Sequence, residues 1–307
     1  MNKIIVVGSL SLDLVLKVAR MPGLGETIIA QDFAKYPGGK GNNQAIAASR
    51  SQTITIMIGN IGQDEYGQML KQSLIDNNVN TDFLYEDSSS GTGLAFITIN
   101  ADGDNSIVIA PRSNSNLTPA LIAKSKLAFT ENYLLMLQLE TPIETSIYAA
   151  DLAKQQKQLV LLNPAPVPAS GQLPSELMGL VDFFLPNQSE TFLLTGIEVK
   201  DVESAKLAAL HLLKLGPKNI IITMGDLGVF ALTHQQEEIF IPAFKVKTID
   251  TTAAGDAFCG AFAACYLRNN DLILALKYAS AAGALATTKS GAVPSLPEAS
   301  DILQLLS

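Results

Sequence analysis

The chain has 307 residues, 48% of them hydrophobic, and a formal charge of -8. That length suits one large α/β domain or two small ones around a sizeable core. The negative balance argues against a nucleic-acid backbone as partner. Two cysteines, Cys259 and Cys265, and two histidines, His211 and His234, provide neither a disulfide framework nor a histidine-rich metal site. The first residues carry a short strand-like apolar run and no signal-peptide profile, and no stretch approaches a membrane span. A cytoplasmic protein with reduced thiols and no membrane partner is expected.

In chain order, "KIIVVG" (Lys3–Gly8) opens as a strand, apolar throughout, as strands buried on both faces are. Leu10, Leu12, Leu14 and Leu16 then alternate with Ser11, Asp13, Val15 and Lys17, a period of two that continues as strand. A dinucleotide-binding fold would begin its helix there. In "PGGKGNNQA" (Pro37–Ala45), Gly38, Gly39 and Gly41 let a ligand approach the backbone, and Asn42, Asn43 and Gln44 open an apolar helix. Backbone N–H groups at such a start bind anions or hydroxyl oxygens. The Walker A spacing is absent, and a plain loop-to-helix turn is the competing explanation.

"ITIMIGNIG" (Ile54–Gly62) is the next strand, followed by helical spacing over Asp64–Asn77. Gly91 to Arg112 reads as two half-polar strands around the turn "NADGDN". With residues from about Leu10 to Tyr36 they are expected to form a small separate sheet over the active site, with edge strands of the main sheet as the alternative. "NYLLMLQL" (Asn132–Leu139), "QLVLLNPAP" (Gln158–Pro166), "DFFLPN" (Asp182–Asn187) and "NIIITMG" (Asn219–Gly225) are further apolar strands. Helical segments Ile143–Gln155 and Val202–Leu215 alternate with them. This alternation predicts a mostly parallel sheet covered by helices, with no linker separating two domains.

Four segments at strand ends could carry chemistry. In "PNQSE", Asn187 and Glu190 are spaced as a helix N-cap and its capping-box partner. The same two groups would also face the ligand crevice at the carboxyl end of a strand and could hold waters of Mg²⁺. In "TMGDLGV" (Thr223–Val229), Gly225 and Gly228 make a tight turn into the strand "VFAL", and Thr223 could donate to a phosphate. In "TIDTTAAGDAFCGAFAAC" (Thr248–Cys265), Ala253, Ala254 and Gly255 precede a helix over Gly255–Leu267. Three N–H groups there are expected to converge, reinforced by the helix dipole, on a transferring phosphoryl group. Asp256, one residue inside, is placed to accept a proton from a hydroxyl. The loop "TTKSGAVPSLPE" (Thr287–Glu298) follows an alanine-rich helix and could close over this nest or coordinate a monovalent cation.

Taken together and in this order, these segments resemble the ribokinase or phosphofructokinase-B family of carbohydrate kinases, from Lys3 to Ser307. "DTTAAGDAFCGAFA" is similar to the family's C-terminal signature, and "GGKGNNQA" to the core of its N-terminal one. "GSLSLD", "LQLETP", "LNPAP", "PNQSE" and "GAVPS" are most similar to its ribose-phosphorylating members. The resemblance implies a three-layer α/β/α fold with a mostly parallel central sheet and a small β-sheet lid, all within one domain. It implies ATP-dependent phosphorylation of the primary hydroxyl of a pentose, D-ribose to ribose 5-phosphate.

By that resemblance Asp13 holds two sugar hydroxyls, and Ser11, Gly39, Lys40, Asn43 and Glu140 contact the same sugar. Asp256 is the base, and Ala253, Ala254 and Gly255 form the anion hole. Asn187, Thr223, Gly225, Asp226, Gly228, Gly255 and Ser280 match nucleotide-binding positions, and Glu190 the acid linked to Mg²⁺ through water. Asp250, Thr252, Ala286, Lys289, Gly291 and Ser295 match the loops that hold a monovalent cation, K⁺, mostly through backbone oxygens.

Three positions depart from the family pattern. Gln52 stands where a small residue is usual, and "APRSNSN" (Ala110–Asn116) replaces a common Gly-Ala-Asn run, with Arg112 adding a charge near the lid. Ser11 stands where Asn is common, which leaves open a kinase acting on deoxyribose, a nucleoside or another sugar. A catalytically silent sugar-binding regulator is the rival from another class. A dinucleotide-dependent oxidoreductase would need GxGxxG where "GSLSLD" stands. Exposed lid strands are expected to pair with a second copy, giving a homodimer.

Overall fold

The structure is a computed structural model that describes residues 2–130 and 132–307. The chain opens with β1 (Lys3–Val7), β2 (Ser11–Lys17) and β3 (Asp32–Gly38), then enters α1 (Lys40–Arg50). Next come β4 (Ile54–Gly62), α2 (Glu65–Asp76), β5 (Val79–Asp87) and the hairpin β6 (Gly93–Ile99) with β7 (Asn105–Ala110). α3 (Pro119–Lys124), β8 (Tyr133–Leu137), α4 (Ile143–Gln155), β9 (Leu159–Leu162), α5 (Ser175–Met178) and β10 (Phe183–Phe184) lead to α6 (Gln188–Thr195) and α7 (Val202–Leu213). β11 (Asn219–Thr223), β12 (Gly228–Thr233), β13 (Glu238–Pro242), α8 (Ala254–Asn269), α9 (Leu272–Ala286) and α10 (Ala299–Leu306) follow.

The main sheet has nine strands in the order β13-β12-β11-β10-β9-β8-β1-β4-β5. It is parallel except at β11–β12 and β12–β13, which pair antiparallel. Ile4 and Val6 of β1 join one buried cluster, with residues of α1, α8 and α9, while Ile5 and Val7 join another, with residues of α4 and α7. Successive side chains leave a strand on opposite faces. A strand covered on both faces therefore has no polar position to spare, which is why these runs do not alternate.

The second sheet has the order β3-β2-β6-β7. The predicted lid stretch is strand only at its two ends. Residues 18–31, rich in Pro and Gly at Pro22, Gly23 and Gly25, carry no strand between β2 and β3. Only three residues, Gly8–Leu10, join the end of β1 to the start of β2. The Asn114 side chain clamps this joint, accepting from Leu10 N at 2.9 Å and donating to Leu10 O at 2.8 Å.

α1 and α8 cross with no room for a side chain at Gly260. A Cβ there would lie 2.6 Å from both Ala47 Cβ and Gln44 O, and 2.7 Å from Ala48 N. This close crossing sets the start of α1 against the start of α8. The predicted strand at Asp182–Asn187 is shorter than expected, two residues, with a separate parallel bridge joining Asn187 to Thr223. Among the described residues no helix is long and apolar enough to cross a membrane.

Candidate active site

Asp256 lies in the first turn of α8 and is 7% exposed. Both of its oxygens are held from α1: Oδ2 accepts from Asn43 Nδ2 at 3.0 Å and Oδ1 from Gln44 Nε2 at 3.0 Å. Facing it from the lid is Asp13, also buried, in register with Tyr36 on β3 and Ala95 on β6. Burial, then the negative charges of Glu140 and Asp256, push the Asp13 carboxyl up to about 7. Lys40 sits among these acids. Burial disfavours its charged form, but Asp256, Glu140 and Glu190 more than offset this and raise its pKa.

The loop geometry that brings these groups together depends on glycine. A Cβ on Gly38 would meet the Asp13 carboxylate at 2.4 Å. Gly39 has φ of 89°, and a Cβ on it would lie 2.8 Å from Ser11 N. Glu140 is fixed by the Lys40 backbone N–H at 3.0 Å and by the Ser9 hydroxyl, both donating to Oε2. Ser11 is 5% exposed, and its Oγ accepts from Asn114 Nδ2 at 3.3 Å. Ser11, Asp13, Gly39, Lys40, Asn43, Glu140 and Asp256 are therefore built around one buried, acid-rich place between the lid and the body.

On the other side of the α8 N-terminus lies a cavity of ≈ 660 Å³. Asn187, Thr223, Gly225, Asp226, Gly228, Ala254, Gly255 and Ser280 all line it, with Val229, Phe244 and Phe258 as apolar wall. Gly228 has φ of 120°, and a Cβ there would sit 2.1 Å from Ile241 O. Ser280 Oγ is buried without a hydrogen-bond partner. The three small residues before Asp256 are not equivalent. Ala253 is left-handed, with φ of 60°, and is not part of the cavity wall. Ala254 turns its N–H back to Thr251 O at 3.3 Å, so the expected convergence of three free N–H groups is reduced. Gly255 opens onto the cavity, since a Cβ there would meet nothing within 4 Å.

Asn187 and Glu190 do form the capping box of α6. Asn187 Oδ1 accepts from Glu190 N at 2.8 Å, and Glu190 Oε2 accepts from Asn187 N at 2.9 Å. Glu190 does not line the cavity, yet its carboxyl faces Lys40 and Asp256. Burial outweighs the Asn187 N–H bond and the Lys40 charge, and raises its pKa. Asp250 ties two loops together, accepting from Thr252 N at 2.9 Å, Thr252 Oγ1 at 2.6 Å and Gly291 N at 2.9 Å. Burial opposes its ionisation, but these bonds outweigh it and lower the pKa. Ala286 and Ser295 are buried near the same loops, and Lys289 is exposed. Arg112 packs over Gly91 at the foot of the lid and donates to Thr92 O at 3.1 Å.

The pfkB family carbohydrate kinase model matches residues 1–299. The chain belongs to the pfkB family of carbohydrate kinases. It is 37% identical over 306 residues to a ribokinase of Staphylococcus aureus (strain COL), covering 99% of each chain. It is 36% identical over 304 residues to a deoxyribokinase of Salmonella typhi, covering 99% of this chain and 98% of that one. The structure of Arabidopsis thaliana ribokinase complexed with ribose and ATP matches it with a TM-score of 0.92 at 30% identity, covering 99% of this chain and 98% of that chain. The fold is ribokinase-like: a large, mostly parallel sheet between helices, with a small separate sheet.

For a pfkB-family kinase this chain suits the metals the family implies. The described residues contain no group of three or more His, Cys, Asp or Glu that could hold a metal ion. Mg²⁺ keeps most of its waters and rides on phosphates beside one or two carboxylates, so it needs no such cluster. Glu190, bonded to the cavity-lining Asn187, is a carboxylate that fits holding those waters from beyond the cavity wall. Asp250, accepting from Thr252 and Gly291, ties together the two loops that the family resemblance links to a monovalent cation.

Four polar residues of the site are absent from the sequence expectations: Ser9, Asn114, Gln138 and Asn163. Gln44 is expected only to open a helix. Gln44 and Asn163 lie inside the motifs "GGKGNNQA" and "LNPAP", and a buried amide inside a motif was the available signal. Gln138 lies inside "LQLETP" and Asn114 inside "APRSNSN", but neither segment shows which distant groups its amide meets.

Proposed function

We propose that this chain transfers the γ-phosphoryl group of ATP to the primary hydroxyl of D-ribose, giving ribose 5-phosphate and ADP. A single observation carries this reading: residues 254–256 face two ways. Ala254 and Gly255 wall the large cavity, while Asp256 turns into the buried place that holds Asp13, Lys40 and Glu140. A nucleotide in the cavity and a sugar in the acid-rich place would meet at Asp256.

In this mechanism Asp13 accepts hydrogen bonds from two sugar hydroxyls, with Ser11, Gly39, Asn43 and Glu140 closing around the ring. Asp256 takes the proton of the primary hydroxyl as that oxygen bonds to the γ-phosphorus and the bridging oxygen leaves with ADP. The Gly255 N–H and the positive end of α8 stabilise the charge on the phosphoryl oxygens, with Ala253 and Ala254 shaping the turn. Asn187, Thr223, Gly225, Asp226, Gly228 and Ser280 bind the nucleotide. When bound, Mg²⁺ would neutralise phosphate charge, with Glu190 holding its waters. K⁺ would sit among backbone oxygens of Asp250, Thr252, Ala286, Lys289, Gly291 and Ser295.

The whole chain works as one kinase domain, and the lid, from about residues 10–36 and 91–112, excludes water from the reacting groups. The exposed apolar residues Phe33, Phe96, Ile107 and Val108 on the lid strands support pairing with a second copy. The unpaired cysteines Cys259 and Cys265 suit a reducing cytoplasm. 2-Deoxyribose is the second candidate substrate, favoured by the short Ser11 side chain being already engaged by Asn114. A panel of ribose, 2-deoxyribose, fructose and nucleosides with ATP, read by coupled ADP formation, tests this. Ribose is expected to give the highest kcat/KM. A higher value for 2-deoxyribose would reassign the substrate, and no sugar-dependent ADP would remove the kinase reading.

A further inference from the structure

The acid that meets both halves of the site is held by a chain of buried side-chain amides. Gln44, on α1, is wholly buried. Its single amide nitrogen carries two N–H bonds, and both are used: one to Asp256 Oδ1 at 3.0 Å, the other to Asn163 Oδ1 at 3.1 Å. Its oxygen is used as well, accepting from Gln138 Nε2 at 2.7 Å. Asn163 in turn donates to Leu185 O at 2.8 Å. Gln138 follows β8, Asn163 follows β9 and Leu185 follows β10, so the ends of three adjacent strands report to one carboxylate.

This arrangement leaves Gln44 one orientation. With its oxygen occupied by Gln138, its nitrogen must point at Asp256 and Asn163. Hydrogen bonds donated to a carboxylate favour its charged form. Gln44 and Asn43 supply one donor to each oxygen of Asp256, so the carboxylate is fixed in rotation with both oxygens engaged.

We propose that Gln44 is a positioning residue of the phosphoryl-transfer reaction, aiming Asp256 through a Gln138–Gln44–Asp256 relay. This rests on the reading of Asp256 as the base. The other charged or titratable groups facing Asp256 are Asp13 from β2, Lys40 from α1, Glu140 beyond β8, Glu190 from α6 and Cys259 from α8. All of them remain, and none is added, in Gln44→Met and Gln138→Met, so a change in those pH profiles reports on the amide.

The test uses the full-length enzyme with ribose and ATP over pH 5–9. Gln44→Met keeps the volume and removes the donor. Its kcat is expected to fall about tenfold or more at pH 7, and the acidic limb of the kcat profile should move up by about one pH unit. KM for ribose and for ATP should stay within about threefold, since neither ligand would touch Gln44. Gln44→Glu keeps the shape and puts a second carboxylate beside Asp256, so its acidic limb should move further up. Gln138→Met, which frees Gln44 to turn, should give a smaller shift in the same direction. Should Gln44→Met fail to fold, Gln138→Met, which leaves every charge in place, decides. A lowered Tm with an unmoved profile in the folded variants would overturn the proposal and make Gln44 a core residue only. A wild type with no sugar-dependent turnover would instead remove the kinase reading itself.

Discussion

Asn43 on α1 donates its side-chain amide to Asp256 on α8 at 3.0 Å, across 213 positions of sequence. The bond joins the glycine-rich loop that frames the sugar side to the helix that opens the phosphate side. With the equal bond from Gln44, it holds the carboxylate between the two signature motifs, where both proposed substrates would meet.

Asp256→Asn keeps the shape of this contact and removes the proton acceptor. kcat should fall by at least ~10²-fold, the usual size of a general-base effect. ATP and ribose binding, measured by calorimetry, should stay within a few-fold. Turnover close to wild type would show that another group takes the proton.

Asp13 supplies a pH dependence of its own. Its carboxyl, normally near 3.8, is pushed up to about 7 by burial and by Glu140 and Asp256. Between those values the folded chain holds a proton that the unfolded chain has released. Stability should therefore fall as pH rises from about 4 to about 7, with a slope of up to about 1.4 kcal/mol per pH unit from this group. Sugar hydroxyls donate to the ionised form, so ribose binding at pH 6 should expel close to one proton. Calorimetry in two buffers of different ionisation enthalpy reads this directly. Equal heats in both buffers at pH 6 would count against the assignment of Asp13 to the sugar.

Asn114→Ala removes the clamp on the joint between sheets. It leaves Leu10 N and Leu10 O without their partner in a buried setting, at a cost of about 1–3 kcal/mol for each group left unsatisfied. Tm should fall measurably. Because β2 carries Ser11 and Asp13, KM for ribose should rise several-fold while KM for ATP stays near wild type. An equal rise in both KM values would place the effect in the body of the enzyme rather than in the lid.

Much of the fold was legible because burial leaves simple traces. Strands covered on both faces, such as β1 and β8, are uninterrupted apolar runs, whereas the alternating sequence of β2 marks a strand whose burial grades from Ser11–Asp13 inside to Leu16 and Lys17 outside. β5 was not legible: its run "VNTDFLYED" lies at the sheet edge, half exposed, and carries three acids. The grouping of site residues was partly legible for a similar reason. Gly39 to Gln44 and Ala253 to Asp256 are contiguous, and the local backbone alone brings each set to one spot. What could not be read was how one set meets the other. The bonds from Asn43 and Gln44 to Asp256 exist because α1 and α8 cross at Gly260, and a glycine inside an apolar helix does not name its partner. The capping box at Asn187 and Glu190 shows the converse: a purely local pattern that appears as spaced.

The three-residue joint Gly8–Leu10 divides the proposed site between two sheets. The groups proposed to choose the sugar, Ser11 and Asp13, stand on the far side of it, in a sheet of four strands. The groups that would run the chemistry, Asp256, Gln44 and the cavity wall, belong to the body. A longer or shorter side chain at position 11 would reshape the proposed sugar place alone, leaving the cavity wall and the Gln44–Asp256 bond where they are.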